Sequence, residues 1–181
     1  YLNMKAENND PRSAYLWLAQ VNNDLPEQQI QTWATQAFQQ IQPNPIFSEQ
    51  KKLVQILLQN QVEVYIVTAS IKWAVQPGAI ALGLSPENVI GVETEVRNGH
   101  ITENPVLPIT YRQGKVDALL KHTNGISPFL ASGNTMGDFE LLMSATHIKL
   151  AVSAASRDDK IFKTENELQK IAQEKNWWAH R

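Results

Sequence analysis

ASGNTMGDFELL, residues 131–142, is the stretch on which the fold turns. An apolar, strand-like lead, PFLAS at residues 128–132, empties into Gly133. Asn134, Gly137 and Asp138 follow, and then GDFELLMSA carries the pattern of a helix. A strand, a tight polar turn and a helix start is where α/β proteins place chemistry, because ligands bind beyond the carboxyl ends of parallel strands. One residue there is out of character for a metal site. Asn134 stands where a second carboxylate would serve a cation better.

The same alternation runs outward in both directions. VEVYIVTAS, residues 62–70, is the clearest strand, a β-branched run leading into a helix over residues 71–82 that carries Pro77-Gly78. NVIGVETEVRNGHITE predicts a strand and then a hairpin, with Asn98-Gly99 as its positive-φ turn. QGKVDALLKH reads as a helix, HIKLAV as a strand, and residues 164–175 as a last helix. Upstream, PRSAYLWLAQVNN and LPEQQIQTWATQAFQQI read as helices opened by Pro11 and Pro26. QPNP, residues 42–45, is a strong break, and SEQKKLVQILLQNQ after it is an amphipathic helix with Ser48 as the expected N-cap. Strands alternating with helices after residue 45 predict an α/β fold, a parallel sheet with helices on both faces.

Composition narrows the function classes. Of 181 residues, 43% are hydrophobic and 19% charged, and the formal net charge is -2. No long basic run favours nucleic acid. There is no cysteine, which excludes disulfide and thiolate chemistry. No apolar stretch reaches the ~18–20 residues of a membrane span. No targeting segment is legible at Tyr1, so cytoplasmic and periplasmic locations both stay open.

Three polar residues sit where this architecture puts ligands. Thr68 ends its strand with a hydroxyl, beside Ala69, at a place suited to cradling phosphate. Lys115 opens a helix, and Asp138 lies in the turn that begins another. Singly, each has a plain reading: a strand-end Thr or N-cap, a solvated Lys, a carboxylate favoured by the helix dipole. Their order and contexts carry more.

That order resembles the motifs of haloacid dehalogenase superfamily phosphatases, in the phosphoserine phosphatase-like branch. Thr68 in VYIVTAS is similar to the second motif, a strand ending in Ser or Thr. Lys115 in RQGKVDALL is similar to the third, a lone Lys, and GNTMGDFELL to the fourth, G-D-x-x-x-D before an apolar pair. YLWLAQV, NQVEVYIVTAS, PENVIGVET and GKVDALL are similar to bacterial phosphorylcholine phosphatases. The resemblance covers most of the chain. It implies a Rossmann-like core over residues 46–181 and a partial helical cap over residues 1–45. It also implies a Mg²⁺-dependent phosphomonoesterase for a small phosphorylated metabolite, working through an aspartyl-phosphate. Thr68, Ala69 and Lys115 would bind the phosphoryl group, with Thr68 and Lys115 catalytic, and Asn134 and Asp138 would offer oxygens to Mg²⁺. Tyr15, Trp17 and Trp33 fall in the cap, which would choose the substrate. Aromatic faces can hold a quaternary ammonium, as in a phosphocholine-like molecule, and they equally pack helices together.

Two departures from the motifs shape the remaining expectations. The first motif, D-x-D-x-T after a strand, is missing; Asp10 and Asp24 lie in helical or loop contexts. The nucleophilic Asp is therefore expected upstream of Tyr1, in a central strand between the one ending at Thr68 and PFLAS. This chain alone is expected to be an inactive fragment, completed by a retained N-terminal peptide or by a second copy in a homodimer. The second departure is Asn134, where the family usually has Asp. An Asn carbonyl can ligate Mg²⁺ but brings no charge, so Asn134→Asp is expected to tighten metal binding. Two further readings stay open: a non-catalytic scaffold or binding protein of the same fold, which Asn134 favours, and a doubly wound domain binding another anion at these strand ends.

Overall fold

The computed structural model describes residues 10–43 and 45–181. The start of the expected cap, residues 1–9, and Asn44 of the QPNP break lie outside them. The chain divides into two compact units, Tyr1–Ile109 and Thr110–Arg181.

The first unit opens with helices α1 (Arg12–Gln20), α2 (Glu27–Gln40) and α3 (Ser48–Gln59). Pro11 and Pro26 stand immediately before α1 and α2, where a missing N–H costs nothing. Ser48 does not cap α3. Phe47 takes that position in extended conformation, and the Ser48 hydroxyl donates to Glu49 Oε1 at 2.8 Å. β1 (Ile66–Ile71) is shorter than the apolar run suggests, because residues 62–65 are irregular. α4 (Lys72–Ala81) follows without a loop and contains Pro77. β2 (Val89–Val92) pairs with β1 in parallel. β3 (Thr94–Arg97) and β4 (His100–Pro105) form the expected hairpin, with φ of 51° at Asn98 and 78° at Gly99. Ala19, Ile30, Trp73, Val92 and Ile101 make one core, so α1, α2, α4, β2 and β4 converge on it. Trp73 is 1% exposed and donates its indole N–H to Glu27 Oε1 at 3.0 Å, satisfying the one polar atom it buries.

The second unit comprises α5 (Gln113–His122), β5 (Leu130–Gly133), α6 (Phe139–Ser144), β6 (Ile148–Val152), α7 (Phe162–Glu174) and β7 (Trp178–His180). Its strands form a parallel sheet in the order β5-β6-β7. β7 has no counterpart in the sequence reading. It is three exposed residues long and owes its strand character to pairing with β6, Leu150 opposite Trp178. Leu142, Ala151, Leu168 and Ala172 form the core between α6, β6 and α7.

The α/β class and the parallel, Rossmann-like strand–helix alternation follow the expectation. β1 is less buried than its β-branched run suggests. All four residues of β2 are buried and none of β1 is. Among the described residues β1 pairs with β2 alone and β5 with β6 alone, so each is an edge of its own sheet. Among them, too, no helix is long and apolar enough to cross a membrane.

Gly91 in β2 is fixed by close approach of backbone. A Cβ there would lie 2.9 Å from Lys72 Cα and 3.0 Å from both Lys72 N and Ser70 O. These are main-chain atoms at the β1–α4 junction and cannot swing aside. Gly91→Ala is expected to lower stability by about 1–3 kcal/mol, read as a lower urea midpoint at unchanged slope.

Candidate functional site

The turn after β5 is built around Asp138. A Cβ on Gly133 would collide with Asp138 Cβ and lie 2.8 Å from Leu142 Cδ1, so only glycine lets the turn close on this carboxylate. Asp138 Oδ2 accepts the Asn134 N–H at 3.1 Å and the Thr135 N–H at 3.2 Å. Thr135 Oγ1 accepts the Gly137 N–H at 3.2 Å. A short 3-10 turn, Met136–Asp138, then passes into α6. The helix-start reading of Asp138 is thus correct as far as it goes.

Its other oxygen does something else. Lys115 Nζ, from the first turn of α5, donates to Asp138 Oδ1 at 2.5 Å. The two residues are 8% and 7% exposed. Lys115 is therefore a buried lysine rather than a solvated one, and it shares the inner side of α5 with Val116, Ala118 and Leu119. Removing one partner of such a pair leaves an uncompensated buried charge, at a cost of about 3–5 kcal/mol. Asp138 takes one of the three ammonium donors and so aims the remaining positive charge.

Asn134 has a partner that the sequence reading missed. Its Nδ2 donates to Glu165 Oε1 at 2.8 Å. Glu165, in the first turn of α7, is 2% exposed. Its Oε2 accepts from Ser153 Oγ at 2.8 Å, Ala154 N at 3.0 Å and Ala155 N at 2.9 Å. Burial pushes the Glu165 carboxyl up, but the donors at Ala155, Asn134, Ser153 and Ala154 outweigh it and hold the group below its ordinary range. Neighbouring Thr164 accepts the Met136 N–H at 3.0 Å. One turn of α7 thus grips the turn after β5 at two points. A signal for Glu165 does exist in the sequence. The buried stripe of α7 contains Leu168 and Ala172, and stepping back one turn from Leu168 reaches position 165, where a charged residue faces the core.

Thr68 and Ala69 belong to the first unit. Pairing of β1 with β2 is regular through Val67–Ile90, shifts, and resumes at Ile71–Val92. Thr68 therefore does not end its strand, which runs on to Ile71: Thr68, Ala69 and Ser70 occupy the irregular stretch within β1, where Thr68 Oγ1 accepts the Ser70 N–H at 3.1 Å. Of the cap aromatics, Tyr15 packs on the core, while Trp17 and Trp33 are 39% and 49% exposed. The structure brings Lys115, Asn134 and Asp138 together in the second unit and adds Glu165.

As a cation site, this set offers few oxygens. Both carboxylate oxygens of Asp138 already accept from protein donors, and among the described residues no three His, Asp or Glu side chains converge. Asn134 Oδ1, on the far side of the amide from Glu165, is the hard oxygen without a protein donor in the described structure. That suits Mg²⁺, which takes few protein ligands and completes its shell with water and phosphate oxygens.

The linkage at Glu165 has a definite sign. Its folded pKa is lowered, so its contribution to stability is complete above the ordinary carboxylate range and is lost as pH falls through the folded value. Urea unfolding of the natural chain and of Glu165→Gln, from neutral pH downward, is expected to show a stability gap that narrows only below that range. A gap independent of pH would refute the assignment.

Comparison with known proteins bears on the family and the fold. The sequence model of the haloacid dehalogenase-like hydrolase family matches residues 5–143, more than half of the chain. A phosphorylcholine phosphatase of Pseudomonas aeruginosa is 28% identical over 94 residues, covering 50% of this chain and 27% of that protein. The chain thus spans about a quarter of the length of this relative. A protein of unknown function from Anaerococcus prevotii superposes with a TM-score of 0.69 at 18% identity, over 87% of this chain and 50% of that one. A phosphoserine phosphohydrolase-like protein from Francisella tularensis gives a TM-score of 0.50 at 22% identity, over 70% and 58%. The structural likenesses concern the fold; the family match shows that the chain belongs to the haloacid dehalogenase-like hydrolases.

Proposed function

We propose that the chain is the phosphate-handling part of a phosphatase, a Mg²⁺-dependent phosphomonoesterase acting on a small phosphorylated metabolite. The observation that carries this reading is the buried Lys115–Asp138 pair with the Asn134 carbonyl in the same turn. In the proposed reaction an Asp carboxylate attacks phosphorus and the P–O bond to the substrate's alcohol breaks, the alkoxide taking a proton. Water then hydrolyses the acyl phosphate, returning carboxylate and inorganic phosphate. The nucleophile would come from a first motif upstream of Tyr1. Lys115, held by Asp138, neutralises the phosphoryl oxygens. Phosphate binding by Thr68 and Ala69, in the first unit, is proposed from their likeness to the second motif alone. Asn134 Oδ1, with Asp138 in the same turn, would hold Mg²⁺, which would supply further charge neutralisation.

The likeness to a phosphorylcholine phosphatase and the exposure of Trp17 and Trp33 support a substrate with a quaternary ammonium group. A second reading, a non-catalytic binding protein of the same fold, is favoured by the uncharged Asn134. The two separate on hydrolysis of p-nitrophenyl phosphate and phosphocholine by the whole natural protein with Mg²⁺. The phosphatase reading expects turnover that falls about 10²–10³-fold in Lys115→Ala, with circular dichroism confirming the fold of the variant. Phosphate binding without turnover would support the second reading, and equal turnover by the variant would overturn the role of Lys115.

We also propose that the edges of β1 and of β5 that have no strand partner among the described residues are each covered by added chain, from a retained N-terminal peptide or a second copy of the chain. Unpaired backbone groups cost about 1–3 kcal/mol each when buried. Intact-mass measurement and size-exclusion chromatography of the 181-residue chain are expected to show an added peptide or a dimer. A folded monomer of the chain alone would refute this.

A further inference from the structure

Glu165 carries an inference beyond the proposed reaction, though one that rests on Asn134 being a metal ligand. A side-chain amide offers an NH2 on one side and a carbonyl on the other, and its neighbours decide which way each points. Here the neighbour is a carboxylate, which only accepts. Glu165 Oε1 at 2.8 Å from Asn134 Nδ2 fixes the NH2 inward, and the planar amide must then turn Oδ1 the other way. Glu165 cannot adapt in its turn, because its Oε2 is held by Ser153 Oγ and by the Ala154 and Ala155 N–H groups.

We infer that Glu165 is a positioning residue that sets the Asn134 carbonyl as a metal ligand and supplies, one hydrogen bond away, the negative charge that Asn134 lacks. An Asn–Glu pair has the same formal charge as a lone Asp. That accounts for an Asn in the acidic turn: the charge has been moved back one residue layer rather than lost. It also changes what Asn134→Asp should do. An Asp there would set two carboxylates against each other at a 2.8 Å contact, in a place where Glu165 is 2% exposed. One of them would have to take up a proton or turn away.

The exchange works only in pairs. In Glu165→Gln, the Gln carbonyl keeps the three donors at residues 153–155, so its NH2 meets the NH2 of Asn134. Asn134 then flips and presents NH2 to the cation. In Asn134→Asp with Glu165→Gln, the Gln NH2 donates to the new carboxylate and every partner is satisfied again.

The test measures Mn²⁺ binding by electron paramagnetic resonance, and thermal melting, in the whole natural protein and in the two single variants and the double variant. Glu165→Gln is expected to weaken Mn²⁺ by about tenfold or more, the usual effect of losing an outer partner of a ligand. Asn134→Asp alone is expected not to tighten it, and the double variant to bind at least as tightly as the natural protein. Each single variant should melt lower, and the double should recover. A folded Glu165→Gln with natural Mn²⁺ affinity overturns the inference while leaving the phosphatase reading in place. Should Glu165→Gln fail to fold, equal Mn²⁺ affinity and equal melting temperatures in Asn134→Asp and the double variant overturn it instead. A natural protein that binds no Mn²⁺ overturns both readings.

Discussion

A single buried carboxylate organises the second unit. Glu165 accepts from four donors on two other segments: the Asn134 amide in the turn after β5, and Ser153, Ala154 and Ala155 beyond β6. A carboxylate this deep is tolerated only when its lone pairs are filled, and here donors fill both oxygens. Its position in the first turn of α7 adds the favourable end of the helix dipole. The same turn supplies Thr164 to the Met136 N–H, so α7 is a scaffold for residues 134–136 as much as a layer of the core.

The Lys115–Asp138 pair has a different character. It buries a full positive charge against a carboxylate whose second oxygen is already spent on two turn amides. Such a pair is weak evidence of stability, since packed apolar residues would do as well. What it gives is a cation of fixed direction in a drained environment, where its field is less screened than in water. Gly133 belongs to this arrangement too, because any side chain there would displace Asp138.

Much of this was legible in the chain. Patterns that act over a few residues translated directly: Asn98-Gly99 into a hairpin tip, Pro11 and Pro26 into helix entries, strand–turn–helix order into an α/β sheet with Lys115 and Asp138 at helix starts, whereas Thr68 lies within β1 and not at its end. Features that depend on partners far along the chain did not. Glu165 reads locally as one more first-turn carboxylate; only contact with residues 31 positions earlier makes it part of the site. β7 exists because β6 has an edge to offer, and β1 begins later than its apolar run because pairing with β2 starts only at Ile66. Ser48 lost its expected cap to Phe47 because cap geometry is decided by the backbone angle of the incoming segment.

The placement of so many bonds on one helical turn bears on how the molecule opens. Residues 154–155 have no ladder of their own; their amides are held by a side chain on α7. Fraying of the first turn of α7 would withdraw Thr164 and Glu165 at once, and with them the acceptors for Met136, Asn134, Ser153, Ala154 and Ala155. Local opening in this region is therefore cooperative, with the turn and the distant loop released in one event rather than loosening by degrees.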